Sequence, residues 1–356
     1  MRRIYLIRHG QPASPGGERY CLGSADFPLA PLGRLQACLL GHALKGEKLT
    51  VFSSPLTRAY DTAGFISPAP VVIDELREMH AGDWDGLSFR EISQRWPELF
   101  EARAYDKELT IPGCEDWYEG QSRFIKAVEK ALSLSKGDIA IVAHTTVILS
   151  LICHVMGSEE YKDFSYRQGC GSWYMMELDE DGLHCKFPWQ SPRPDMSDEL
   201  CHALMDAIAL PEHIRAHCKA VANEAGRIAF KLNEAGLELD ASLIRNAALL
   251  HDIARLHDAH PKTGADWLLE LGYERIADII RQHHELESDD INEAAVVYIA
   301  DKTCAEAEAV SLRARFEKSR EKCHSAEALA AQDKRMVQAL GIAERINALC
   351  RMEVIK

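Results

Sequence analysis

"IAIVAHTTVILSLICHVMG", residues 139–157, is the stretch on which the fold turns. Its nineteen residues contain no Asp, Glu, Lys or Arg. That approaches the run of about 20 apolar residues that crosses a bilayer. His144, His154, Thr145 and Thr146 break it, so it reads as a buried strand followed by a helix. Neighbouring segments agree. "RIYLIRH" (3–9) and "LTVFSSP" (49–55) are short β-rich runs, "PVVIDELRE" (70–78) begins as one, and "DIAIVAH" (138–144) is another. "LGRLQACLLGHAL" (32–44) and "LTRAYDTAGFI" (56–66) carry helical periodicity between them. Apolar runs with little alternation suit strands buried on both faces, as in a mainly parallel sheet sandwiched by helices.

The character changes near residue 187. "FPWQSPRPDMSDE" (187–199) holds three prolines and reads as a linker, 188–198, entering a helix capped by Ser197 or Asp198. Beyond it almost every segment is helical: 213–232, "DASLIRNAALLHDIARL" (240–256), 263–272, 275–286 and 291–303. Gly236, Gly272 and Gly341 read as helix ends. The expectation is an α/β domain over 1–187 and an all-α domain over 199–356. The tail beyond about residue 305 alternates apolar and charged residues at helical spacing, for packing or for self-association through the C-terminal helices.

A length of 356 residues suits two domains. The net charge of −14 argues against general nucleic-acid or membrane-surface binding, which needs a basic face. Eleven cysteines without a CxxC, and no secretory h-region in "MRRIYLIRHG", point to reduced thiols and a cytoplasmic protein.

Two groups of residues carry chemistry. In the first half, Arg8 and His9 follow one strand, His144 ends another, and Arg58 follows a third. Carboxyl ends of parallel strands are where sites are built. Two imidazoles and two guanidiniums suit a phosphoryl group, whose oxygens match forked donors and fixed positive charge. In the second half the candidates are His217, His251, Asp252, His260, His283, His284 and Asp301. Imidazole and carboxylate suit Mn, Fe, Co, Ni or Zn better than Ca. "ALLHDIARLHDAH" (248–260) offers two His-Asp pairs. On a continuous helix at about 100° per residue, His257 stands some 240° from His251, so only one pair can face a cavity. His251-Asp252 follows the apolar "NAALL" and is preferred; His257-Asp258 reads as exposed. "HIRAH" lacks the glutamate of HExxH, which excludes a zinc protease of that class.

Six segments of the first half, in order, resemble the histidine phosphatase superfamily over roughly residues 1–185: "LIRHG", "LGSADFPLAPLGRLQA", "VFSSPLTRAYDTA", "LREMHAGDWDG", "IPGCED" and "IVAHTT". The resemblance implies that His9 is the nucleophile, forming a phosphohistidine. It implies that Arg8, Arg58 and His144 hold the phosphate oxygens, and that Glu78 protonates the leaving oxygen, with no metal. Glu75 and Asp83 are rival acids. Pro15, Thr145 and "PGCED" depart from the family pattern and bear on the substrate pocket. "GSADFPLAPLG" and "AGDWDG" resemble the phosphatase branch more than the mutases, so net hydrolysis is expected over mutase chemistry.

Residues of roughly 200–310 resemble the HD superfamily of metal-dependent phosphohydrolases, through "HCKAVANEA", "LLHDIAR" and "YIADKT". The resemblance implies His217, His251, Asp252 and Asp301 as ligands, with His213 a rival to His217. "HPKTGADWL" and "RQHHELE" resemble two-metal members, in which Asp252 bridges and His260, His283 and His284 serve a second ion. Such metals polarise a phosphoryl oxygen and activate water. Arg255 and Lys262 are candidates for substrate phosphate, against their plain reading as solvated charges. The expectation is a bifunctional phosphohydrolase acting on small phosphorylated metabolites or nucleotides. Its alternative is a phosphatase with a regulatory or ligand-binding HD module.

Overall fold

The computed structural model describes residues 1–105, 109–158, 166–306, 308–321 and 323–355. The chain divides into two compact units, Met1–Pro194 and Asp195–Lys356.

The first unit is built on a six-stranded sheet of β1 (Arg2–Arg8), β2 (Thr50–Ser53), β3 (Val71–Val72), β4 (Ile139–Ala143), β5 (Trp173–Asp179) and β6 (Gly182–Gln190). The strand order is β3-β2-β4-β1-β5-β6. β1 to β4 run parallel to one another, whereas β5 runs antiparallel to β1 and forms a hairpin with β6. The helices are α1 (Pro31–Ala43), α2 (Thr57–Gly64), α3 (Phe89–Arg95), α4 (Pro97–Tyr105), α5 (Trp117–Leu134) and α6 (Thr145–Met156).

The stretch 139–157 is β4 followed by α6. No helix among the described residues is long and apolar enough to cross a membrane. All five residues of β4 are buried, as befits a strand covered on both faces. In β1 the period of two sorts the side chains: Ile4 and Leu6 pack with Phe124, Val147 and Ile148 of α5 and α6, while Tyr5 and Ile7 pack with Leu40, Ala59 and Ala63 of α1 and α2. Arg8 is in register with Ala143, and Ser53 with Val142. That register delivers His9, Ser54 and His144 to one edge of the sheet.

The hairpin β5–β6 shows why the sheet is mixed. β6 extends through Gln190, so residues 188–190 of the stretch read as linker belong to the sheet; only 191–197 lack regular structure.

The second unit contains α7 (Asp198–Ala207), α8 (Glu212–Glu234), α9 (Ala241–Leu250), α10 (His260–Glu270), α11 (Glu274–Arg281) and α12 (Glu293–Lys302). A two-stranded ribbon follows, β7 (Cys304–Ala305) and β8 (Glu308–Ala309), then α13 (Leu312–Arg320) and α14 (Ala326–Cys350). Ser197 Oγ caps α7 by accepting from Leu200 N. Every residue from Ala294 to Asp301 of α12 is buried, which marks it as the central helix. α14 packs on α8 and α12 through a face that includes Ala339, Ile342 and Ile346.

Two sequence expectations are corrected here. Gly341 lies inside α14 and ends no helix; an interior glycine costs a helix only about 1 kcal/mol, which 25 residues of packed helix absorb. The helix expected over 240–256 stops at Leu250. Residues beyond it form tight turns, with Ile253 N donating to Leu250 O, Arg255 N to Asp252 O and His257 N to Ala254 O. The premise of a continuous helix for the two His-Asp pairs therefore does not hold.

Candidate active sites

The edge where β1, β2 and β4 end gathers the phosphoryl-binding candidates. His9 is buried, and its Nδ1 lies 2.7 Å from Gly10 O. A ring nitrogen facing a carbonyl must donate, which leaves Nε2 with the lone pair. Burial first, then the charges of Arg58 and Arg8, hold the imidazole well below its ordinary range and so neutral. Gly10 is required by close approach, because a Cβ there would lie 2.2 Å from Gly33 O.

Arg58, 1% exposed, donates Nε to His9 Nε2 at 3.3 Å, Nη1 to Ala25 O at 2.7 Å and Nη2 to Gly23 O at 2.9 Å. Arg8 Nη1 donates to Gln168 O at 2.7 Å. His144 lies with its ring centroid 5.1 Å from that of His9, and its Nε2 bonds with Ser54 Oγ at 2.8 Å. Among the described residues, Arg8 Nε and His144 Nδ1 are buried with no hydrogen-bond partner. Buried donors of that kind call for a ligand.

Glu78 is also buried. Its Oε1 accepts from Met79 N and Val147 N, and its Oε2 from Thr146 N at 2.9 Å. The carboxyl group thus meets the first turn of α6 from outside, beside His144. The rival acids stand elsewhere: Glu75 pairs with Lys130 at 3.4 Å, and Asp83 is exposed. Pro15 lies in an exposed turn.

Several contributors escaped the sequence. Ser54 stands one residue past β2, the same strand-end position that singles out His9 and His144, so its signal was present. Gln168 acts through its backbone carbonyl, which no residue pattern reveals. Arg167, pushed down by burial and by Arg8, adds a third guanidinium to the neighbourhood.

In the second unit the histidines and aspartates of three helices and of the two turns that follow α9 and α11 converge. His217 Nε2 lies 3.1 Å from Asp301 Oδ1, and His251 Nε2 lies 3.7 Å from both Asp301 Oδ1 and Asp252 Oδ2. The other carboxylate oxygen, Asp252 Oδ1, lies 3.2 Å from His260 Nε2 and 3.6 Å from His283 Nε2. Asp252 thus faces both sets. Candidate donor atoms of His217, His251 and Asp252 lie within 4.8 Å of one another, as do those of His260, His283 and His284.

The imidazoles are anchored for ligation. Nδ1 of His217 lies 2.8 Å from Glu306 O, that of His251 2.8 Å from Ala248 O, and that of His283 2.6 Å from Ile280 O. Each Nδ1 thereby faces a carbonyl and each Nε2 is turned toward the carboxylates; burial opposes protonation of His217, but its bonds to Asp301 and Glu306 prevail and raise its imidazole. His251 Nε2, His283 Nε2 and Asp252 Oδ1 are buried without a hydrogen-bond partner among the described residues. Burial lowers His251 to about 4, keeping it neutral. Burial opposes ionisation of Asp252 and Asp301, yet the surrounding imidazoles, and Lys302 beside Asp301, hold both carboxyls below their ordinary range. A neutral His251 beside ionised carboxylates is a protonation state that suits a divalent ion. The residues present fit such an ion.

The rivals separate cleanly. His213 is exposed. His257 is exposed too and stacks on Trp267, ring centroids 5.0 Å apart, and Asp258 is exposed. Arg255 stands at the cluster, its Nη1 2.9 Å from His260 Nε2. Lys262 does not: it is 70% exposed and paired with Asp266 at 2.7 Å on the outer side of α10.

The sequence matches the histidine phosphatase superfamily (branch 1) over residues 4–188 and the HD domain over residues 214–306. It is 33% identical over 170 residues to a glucosyl-3-phosphoglycerate phosphatase of Mycolicibacterium vanbaalenii, covering 44% of this chain and 75% of that protein. It is 29% identical over 185 residues to the adenosylcobalamin/alpha-ribazole phosphatase of Escherichia coli K12, covering 50% of this chain and 91% of that protein. It is 34% identical over 157 residues to a bifunctional protein of Mycobacterium tuberculosis, covering 42% of this chain and only 43% of that protein. The chain belongs to the histidine phosphatase superfamily through its N-terminal half, and it joins that fold to an HD domain.

Proposed function

We propose that the chain is a two-site phosphohydrolase, with a phosphohistidine site in the first unit and a metal-dependent site in the second. The observation that carries this reading is shared by both units. Buried polar atoms with no partner cluster beside candidate reactive groups: Arg8 Nε and His144 Nδ1 in one, His251 Nε2, His283 Nε2 and Asp252 Oδ1 in the other.

In the first unit, neutral His9 Nε2 attacks phosphorus, forming the N–P bond as the ester P–O bond breaks. Arg8, Arg58 and His144 face the transferred oxygens and stabilise their charge. Glu78 gives the leaving oxygen its proton; that Oε2 accepts only one amide bond supports it as the oxygen that carries the proton. Water then cleaves the N–P bond, returning a proton to Glu78 and releasing phosphate. The relatives are a glucosyl-3-phosphoglycerate phosphatase and an adenosylcobalamin/alpha-ribazole phosphatase, which supports small phosphomonoesters as the substrate class.

In the second unit, His217, His251, Asp252 and Asp301 would hold one divalent transition ion, and Asp252 with His260, His283 and His284 a second. Such an ion supplies Lewis acidity toward phosphoryl oxygen and water. The chain's own part is to fix imidazole tautomers through the Nδ1 bonds, keep the carboxylates ionised, and present Arg255 at the rim. Lys262 is withdrawn as a substrate ligand, since Asp266 occupies it. A phosphate-release screen over phosphomonoesters and nucleotides, with and without chelator, tests the proposal. Two separable activities are expected; hydrolysis by the first unit alone would leave the HD unit a regulatory or binding module.

A further inference from the structure

The loop of residues 23–26 is held between two carboxylates, and it in turn holds Arg58. Asp85 Oδ1 accepts from Gly23 N at 2.8 Å and Ala25 N at 3.1 Å. Its Oδ2 accepts from Ser24 N at 2.8 Å and Ser24 Oγ at 2.5 Å. At the loop's far end Asp26 accepts from Thr57 N at 2.8 Å and Thr57 Oγ1 at 2.7 Å, which ties the loop to the first turn of α2. The carbonyls face the other way. Gly23 O and Ala25 O take the two terminal nitrogens of Arg58, whose Nε reaches His9.

One peptide group shows the logic. The unit joining Gly23 to Ser24 donates its N–H to Asp85 and accepts Arg58 at its C=O. A peptide bonded at both ends is polarised, and each bond strengthens the other. The loop has no freedom to relax away, because a Cβ on Gly23 would lie 2.6 Å from both Ala81 N and Met79 O. Burial raises the Asp85 carboxyl, but the bonds from Ser24, Ala25 and Gly23 prevail and keep it ionised. His80 Nε2 lies 3.7 Å from Oδ2, and Asp85 also acts electrostatically on Cys21 and Arg58.

We infer that Asp85 is a positioning residue for phosphoryl transfer, fixing the Arg58 guanidinium against His9 through the peptide groups of residues 23–25. Asp85 touches no reacting atom. The inference rests on the assignment of His9 and Arg58 above. Three of the five Arg58 N–H donors go to two carbonyls and one imidazole, so those acceptors fix its place and one N–H on each terminal nitrogen is left for phosphate oxygens.

The test is a double-mutant cycle on the full chain, with p-nitrophenyl phosphate as substrate and chelator present. Asp85→Asn keeps the size but replaces one acceptor oxygen with a donor. It is expected to lower kcat by about ten- to a hundredfold, the scale of a small misplacement, while KM moves far less. Orthovanadate inhibition should weaken in parallel. In an Arg58→Ala background the same substitution is expected to cost less than about twofold, since the group it positions is gone. A loss in the Arg58→Ala background as large as in the wild type overturns the inference, as does an unchanged kcat in the single variant. If Asp85→Asn does not fold, Ser24→Ala removes only the hydroxyl arm; a smaller loss, again absent without Arg58, is expected, and an additive loss overturns it. His9→Ala separates the two levels. Chelator-resistant activity surviving in His9→Ala takes down the catalytic assignment itself, whereas a dead His9→Ala with an additive cycle removes the role of Asp85 alone.

Discussion

His9 and His144 are buried imidazoles kept neutral by burial and by the guanidiniums around them. Their protonation has consequences for stability as well as reactivity. Unfolded, each regains the ordinary value of about 6.5 and takes up a proton below it. Folded, each binds that proton only at much lower pH. The unfolded state therefore binds more protons as the solution acidifies, so their stabilising contribution is present above about pH 6.5 and is lost as pH falls through it. The denaturation midpoint of the first unit is expected to drop between pH 7.5 and 5.5. His144→Asn should flatten that slope; an unchanged slope contradicts the neutral assignment. The same neutrality keeps His9, the proposed nucleophile, unprotonated on the acid side of neutral. His9→Ala is expected to lower chelator-resistant phosphatase activity by at least about a thousandfold, measured as phosphate release. At this scale the sequence singled out most of the side chains at the edge but passed over Ser54 and Asp85. Arg8, His9, Arg58, His144 and Glu78 meet at one edge. It was silent where a backbone group acts, as with the carbonyls of Gly23, Ala25 and Gln168. It misjudged Lys262, whose partner Asp266 lies one helical turn away on the outer face.

Elements place these residues, and they were read unevenly. β4 and α6 were legible because an apolar run containing two histidines and two threonines fits a strand and a buried helix better than hydrocarbon. The hairpin β5–β6 was not, since its residues alternate in burial only weakly and Pro188 falls inside its edge strand. The end of α9 was hidden for a different reason. Ile253 and Ala254 remain buried after the helix stops, so the apolar pattern continues through the turn. That turn is what lets adjacent residues His251 and Asp252 face one cluster, since successive side chains on a helix diverge by about 100°. It also forces Ala259 into the left-handed region, φ 48°, just before His260 opens α10. An alanine there carries strain of about 1 kcal/mol that glycine does not. Ala259→Gly is expected to stabilise the second unit by roughly that amount against denaturant. Trp267, the sole tryptophan beyond Pro194, is a local fluorescence reporter for it. A loss of stability contradicts the strain.

At the scale of the whole molecule, the chain joins a histidine phosphatase unit to an HD unit, and the proposed chemistries share a phosphoryl target and little else. One needs a neutral imidazole among fixed cations; the other needs imidazoles and carboxylates poised for a cation. The change from alternating strand and helix to continuous helix announced both units in the sequence. The exact seam was less legible, because β6 carries the sheet into a proline-rich stretch that reads as linker. The two sites also differ in how they can be silenced. Asp252→Ala removes the carboxylate that faces both sets of imidazoles, and it is expected to lower metal uptake by at least about a hundredfold, read by metal analysis of the purified chain. The most direct measurement is phosphate release by the wild type, His9→Ala and Asp252→Ala, each with and without chelator, on one panel of monoesters and nucleotides. The expected result is that His9→Ala loses only the chelator-resistant activity and Asp252→Ala only the chelator-sensitive one. Loss of both activities from a single substitution, or a chelator that abolishes all hydrolysis, would contradict two independent sites.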